Sequence, residues 1–156
     1  MPKNSKAKKN SSISWKYSSA LESVEHISIS PVYNLFIGGK FVNPTSKKYF
    51  YSTNPANEEK LAKIALAGKS DVNKAVLAAR SAYNNVWEKM DPKERGKYIY
   101  RIARLIQEKS RELAIIESLD GGKPIRESRD IDIPLAAAHF FYYAGWADKL
   151  DYAFPG

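Results

Sequence analysis

A chain of 156 residues and 17.6 kDa, with 44% apolar and 27% charged residues, has the size and composition of one globular domain, not of a disordered polypeptide. It contains no cysteine, which excludes a disulfide framework and any thiol chemistry from its own residues and suits a reducing compartment, so a cytoplasmic location is expected. The formal charge of +8 raises nucleic acid and anionic membranes as partners, but its distribution argues against both: beyond residue 33, 20 basic and 15 acidic residues alternate instead of concentrating on one stretch.

Residues 1–33 read as a flexible basic tail, with five lysines against two glutamates and no apolar periodicity. The sequon Asn10-Ser11-Ser12 carries no weight without a signal peptide. Trp15 and Tyr17 are expected to fold back onto the body. From Leu35 the pattern turns strand-like: Leu35-Phe36-Ile37 and Lys40-Phe41-Val42 flank Gly38-Gly39, a two-residue hairpin turn in which both residues can take positive φ. Tyr49-Phe50-Tyr51-Ser52-Thr53 is rich in strand formers and is ended by Asn54-Pro55, and a further strand is expected from Leu61 to Leu66.

Three long helices are predicted next. The first takes Ser70 as its N-cap and turns Val72, Ala75, Val76, Ala79, Ala82, Tyr83 and Val86 inward. The second starts at Asp91-Pro92 with Glu94 completing a capping box, buries Ile99, Ile102, Ala103, Ile106 and Leu113, and runs to about Leu119. Gly121-Gly122 and Pro124 stop it. The third begins after Pro124, is interrupted near Asp132-Ile133-Pro134 and resumes through Leu135 to Leu150. Its uncharged stretch from Ile133 to Ala147 falls short of the ~20 apolar residues of a membrane span and reads as a buried helix. Aromatic residues surround much of its circumference, so it needs cover on most sides, and the hairpin and two other helices are too small to supply it. More protein is expected around it, either further along the chain or in a partner.

No catalytic set can be assembled from these residues. His26 reads as a solvated tail residue and His139 as a core histidine; no further His or Cys completes a transition-metal site. Asp130 and Asp132, two apart on a helix, point in different directions and belong with Arg126, Glu127 and Arg129 to a salt-linked surface turn. Gly121-Gly122-Lys123 follows a helix and not a strand, which argues for a helix C-cap over a phosphate cradle.

Ordered landmarks carry the reading further. They are Leu35 to Val42, Thr53-Asn54-Pro55-Ala56, Asp71 to Val76, Ala78-Ala79-Arg80, Trp87, Met90-Asp91, Glu94-Arg95-Gly96, Arg101, Glu117 to Pro124 and Tyr142 to Lys149. In this order the chain resembles the front end of the NAD(P)-dependent aldehyde dehydrogenases. The resemblance implies an α/β fold: a β-hairpin and short strands followed by three long helices, an incomplete Rossmann-like domain. Residues 34–156 would be the amino-terminal part of the cofactor-binding domain, truncated before the catalytic domain. It also implies oxidation of an aldehyde through a cysteine thiohemiacetal, hydride passing to NAD or NADP, and a homo-oligomer at full length. The catalytic and cofactor-binding residues would lie beyond Gly156. Two roles carry over by position: a structural monovalent cation at Ser52, Thr53 and Asp120, and an aldehyde tunnel wall at Ile131 and Leu135. The alternative is a non-catalytic truncated protein that docks on a full-length relative through its aromatic helix.

Overall fold

The computed structural model describes residues 18–155. The aromatic pair Trp15 and Tyr17, and most of the expected tail, lie outside the described residues. The remainder of the 1–33 segment holds a short 3-10 turn, Val24–His26, and a strand, β1 (Val32–Tyr33). Two residues are too few to announce themselves by alternation; β1 exists because the central strand of the sheet offers it a free edge. Arg129 draws the preceding segment onto the body through Glu22 at 3.0 Å, and that guanidinium holds the Glu22 carboxyl below its usual range.

The hairpin forms as the sequence predicts. β2 (Leu35–Ile37) and β3 (Lys40–Val42) pair antiparallel around Gly38 and Gly39, whose φ values of 60° and 79° are those of a turn matched to strand twist. β4 (Tyr49–Thr53) and β5 (Lys60–Ala65) build a second sheet in the order β1-β5-β4, with β5 antiparallel to β4 and parallel to β1.

The helices depart from expectation in instructive ways. α1 (Lys69–Ala82) is capped by Gly68, not Ser70, because the Asp71 carboxylate reaches back to accept from the Gly68 amide at 3.0 Å. Its expected apolar face is not buried: Val72, Val76, Tyr83 and Val86 are exposed, and only Ala75 and Ala78 are half-covered. A π turn, Tyr83–Trp87, extends it. α2 (Pro92–Glu108) begins with Asp91 accepting from the Lys93 amide at 2.8 Å, but Glu94 pairs with Lys97 instead of closing the capping box. The expected long second helix breaks at Lys109, and α3 (Ser110–Gly121) follows. Neither Pro nor Gly stands at the break; the chain turns because α2 buries Ala103 on α5 whereas α3 buries Ala114 and Ile115 elsewhere.

The third helical region is continuous. α4 (Ile125–Glu127) passes through a π turn, Ser128–Asp132, into α5 (Ile133–Trp146), and α6 (Leu150–Ala153) ends the described chain. Pro134 explains the π turn. Its ring would crowd the carbonyl four residues back, and a wider turn relieves the clash without ending the helix. The core lies where α2 crosses α5. Small residues meet there: Ala103 and Ala137 are buried, and a Cβ on Gly96 would stand 3.0 Å from the Ala144 carbonyl. Only this face of α5 is covered, so the expectation of a buried helix holds for Ala137 and fails for Tyr142 and Tyr143. His139 is likewise exposed, not a core histidine. Among the described residues no helix is long and apolar enough to cross a membrane.

Candidate functional site

Two of the expected site residues are brought together by a glycine. α3 ends with Gly122 in the left-handed conformation, φ 70°, its amide donating to the Ser118 carbonyl at 3.0 Å. A Cβ there would lie 2.6 Å from Pro55 Cγ, so only glycine lets the end of α3 settle against the turn after β4. That turn is made by Asn54, which is buried; its side chain accepts from the Ala56 amide at 2.9 Å and its carbonyl from the Glu58 amide at 2.8 Å. With the two termini fixed, Ser52 Oγ donates to Asp120 Oδ1 across 68 residues of sequence.

The donor set suits a hard cation. The β4–β5 ladder is irregular between Ser52 and Thr53, which disturbs regular backbone pairing at these two residues. Asp120 supplies a carboxylate beside them, and every available donor is oxygen, as potassium, sodium or magnesium prefers. No cluster of three His, Cys, Asp or Glu side chains exists among the described residues, so a transition-metal centre is not built here. Beside Ser52 and Asp120 lies a hollow of about 240 Å³ lined mainly by Ile29, Tyr33, Ile64 and Ile116.

Ile131 and Leu135 stand one helical turn apart, on the π turn and on α5, and are 57% and 51% exposed. Their spacing puts both alkyl groups on one face. The turn that carries them is held by an ion pair between Lys123 and Asp132, which raises the Lys123 pKa, and by Arg129, which binds Asp130 at 2.7 Å and lowers that carboxyl. Asp130 and Asp132 thus take separate cations; the expected salt-linked turn holds for Asp130 with Arg129, whereas Asp132 takes Lys123, and Arg126 and Glu127 join no ion pair among the described residues. Beneath them Ser128 is fully buried, and the polar atoms Glu117 Oε2, Ser118 Oγ and Ser128 Oγ have no partner among the described residues.

Asp71 stands in the first turn of α1, where an acid favours the helix dipole, and it does more than that: it is 3% exposed and accepts from the Thr45 hydroxyl and from the Thr45 amide at 3.0 Å, besides Gly68. These bonds hold its pKa below the usual range, the Thr45 hydroxyl first among them. The signal that could have found it is the acid three residues after a glycine, with a Thr-Ser loop upstream.

Residues 41–154 match the sequence model of the aldehyde dehydrogenase family. Aldehyde dehydrogenase family 2 member B4, mitochondrial, of Arabidopsis thaliana is 43% identical over 117 residues, covering 74% of this chain and 22% of that protein. Human retinal dehydrogenase 2 is 39% identical over 140 residues, covering 84% of this chain and 27% of its own length. The NAD+ complex of aldehyde dehydrogenase from Bacillus cereus superposes with a TM-score of 0.74 at 42% identity, over 76% of this chain and 24% of that one. The chain thus spans about a quarter of the length of these relatives.

Proposed function

Because this chain belongs to the aldehyde dehydrogenase family, we propose that it forms the amino-terminal part of the cofactor domain of an enzyme that oxidises an aldehyde to a carboxylic acid with NAD(P)+. The observation that supports this reading is the unbroken match over residues 41–154, joined to a fold shared with an NAD+-bound relative. The reaction proceeds by cysteine attack on the aldehyde, and no cysteine is among these residues. The thiolate therefore belongs to polypeptide other than these 156 residues, and the order of landmarks in the family puts the dinucleotide contacts there with it. NAD(P)+, when bound, accepts the hydride.

This chain's own residues do three things in that enzyme. Ile131 and Leu135 form one wall of the aldehyde passage, where their alkyl groups keep water out and favour an apolar substrate body. Ser52 and Thr53 offer backbone carbonyls, and Asp120 a carboxylate, to a structural monovalent cation. The body from residue 34 packs as scaffold, the stretch from Glu22 to Tyr33 joins it through Arg129 and β5, and the assembled enzyme is a cytoplasmic homo-oligomer acting on an aldehyde, without nucleic acid or membrane as partner.

Reading the coding region past Gly156 tests the enzyme. An in-frame continuation containing a cysteine, and NAD(P)+-dependent aldehyde oxidation by its product, is expected; a stop codon directly after Gly156 defeats the intact-enzyme reading. The cation is tested by thermal unfolding in potassium or sodium chloride against tetramethylammonium chloride at equal ionic strength. The small cations should raise the midpoint in the native chain and not in Asp120→Asn; equal midpoints in all three salts reject the site.

Exposed Tyr142 and Tyr143 on α5 favour a second reading, a non-catalytic chain that docks on a full-length relative through this helix. A chain that elutes as a well-dispersed monomer in the presence of such a relative counts against it.

A further inference from the structure

An open cleft of about 540 Å³ runs along the crossing of α2 and α5, a size that takes a small-molecule ligand. It touches none of the residues assigned above to the cation or the tunnel wall. Lys93, Lys97 and Arg101 line it from α2 and Lys149 from beyond α5, while Tyr100 and Phe141 meet in it edge to face with ring centroids 4.9 Å apart. The spacing of the α2 cations is i, i+4, i+8, a single stripe of like charge on consecutive turns. Such a stripe is unfavourable to the helix by itself and becomes favourable when an anion lies along it. It begins in the first turn of a 17-residue helix, at the positive end of its dipole.

Two of the four charges are already answered. Lys97 pairs with Glu94, and Lys149 with Asp148 at 3.1 Å. Asp148 also lines the cleft and feels the charge of Lys93 besides that of Lys149, but neither Lys93 nor Arg101 forms an ion pair among the described residues; Arg101 leans on the Tyr98 ring, its guanidinium carbon 5.4 Å from the centroid. Cations in excess thus surround a pair of rings, one of which, Tyr100, is 52% exposed. A flat heteroaromatic ring stacks on such a surface, and phosphate oxygens accept from Lys and Arg together.

We propose that the α2–α5 cleft binds a nucleoside diphosphate, its phosphates held by Lys93, Lys97 and Arg101 and its base laid against Tyr100 and Phe141.

The test is titration of the 156-residue chain with ADP, followed by calorimetry, with adenosine and inorganic tripolyphosphate as ring-only and charge-only controls. Saturable binding is expected, stronger than either control and weakened by salt, with a roughly tenfold loss in the exposed double variant Lys93→Glu/Arg101→Glu. Circular dichroism of that variant should be unchanged. Photolabelling with 8-azido-ADP should mark peptides from residues 92–101 and 141–149, a readout that also serves if the variant fails to fold. No saturation by ~10 mM, where a site of ~1 mM affinity would be nearly full, overturns the proposal. So does binding unaffected by the double variant, label elsewhere, or tripolyphosphate binding as tightly as ADP, which would mean charge attraction without recognition of a base.

Discussion

Asp71 and Gly122 show how single positions hold distant segments of this chain. The Asp71 carboxylate joins the loop at Thr45 to the start of α1, and its pKa is lowered by the Thr45 hydroxyl and then the Gly68 amide. A lowered carboxyl contributes stability that is complete above its unfolded value of about 3.9 and fades as pH falls through the folded value below that. Asp71→Asn should therefore be less stable than the native chain at pH 7, with the gap constant down to about pH 5 and closing in more acid solution. Urea midpoints across pH would show this, and a gap that does not narrow in acid would deny the clamp. Gly122→Ala forces a side chain into positive φ, at about 1–2 kcal/mol, and into Pro55 besides. Its loss in a urea melt should exceed that of Gly121→Ala, where a Cβ meets nothing within 4 Å.

At the scale of elements, the α2–α5 pair is the main packing unit, and it is built from small side chains. Ala103 has 0% exposure and Ala137 2%, so the backbones approach closely and extra volume has nowhere to go. Ala103→Leu should destabilise by about 1–3 kcal/mol through overpacking, whereas Leu105→Ala, at an exposed site of the same helix, should change stability by less than about 0.5 kcal/mol. Thermal or urea unfolding of the two variants checks the contrast. Pro134 acts on the same helix differently. Because the π turn relieves the clash of its ring, Pro134→Ala removes that clash and should keep or slightly raise helical content by circular dichroism; a loss of helix would count against the ring as the cause of the π turn.

The whole molecule carries its apolar surface outward. Val72, Val76 and Leu77 on α1, and Tyr142 and Tyr143 on α5, all face solvent, while among the described residues the buried hydrophobic ones are five alanines and Ile115. Exposed apolar side chains in such number mark interaction faces. The isolated chain should bind 8-anilinonaphthalene-1-sulfonate and self-associate with concentration, and Tyr143→Ser/Leu77→Ser should lower the dye signal. A chain that leaves the dye dark and sediments as a monomer at all concentrations would show these faces to be satisfied in some other way.

The elements legible in the sequence were those governed by local chemistry. Gly38-Gly39 could be read as a hairpin turn because positive φ is a property of the residue, and Asp91-Pro92 and Gly122 as helix ends because caps are satisfied within a few residues. The family was legible because its landmarks are sequential. What needed the tertiary structure depends on partners far along the chain. The strand β1 exists only beside β5, the break at Lys109 only because α2 and α3 bury different faces, and the Asp71 clamp only because Thr45 lies 26 residues upstream. Helical periodicity showed which face of α1 is apolar but not whether anything covers it, since burial belongs to a pair of surfaces and a sequence describes one of them at a time. Ser52 and Asp120 meet for the same reason: a glycine without a Cβ lets a turn and a helix end touch across a gap no local pattern records.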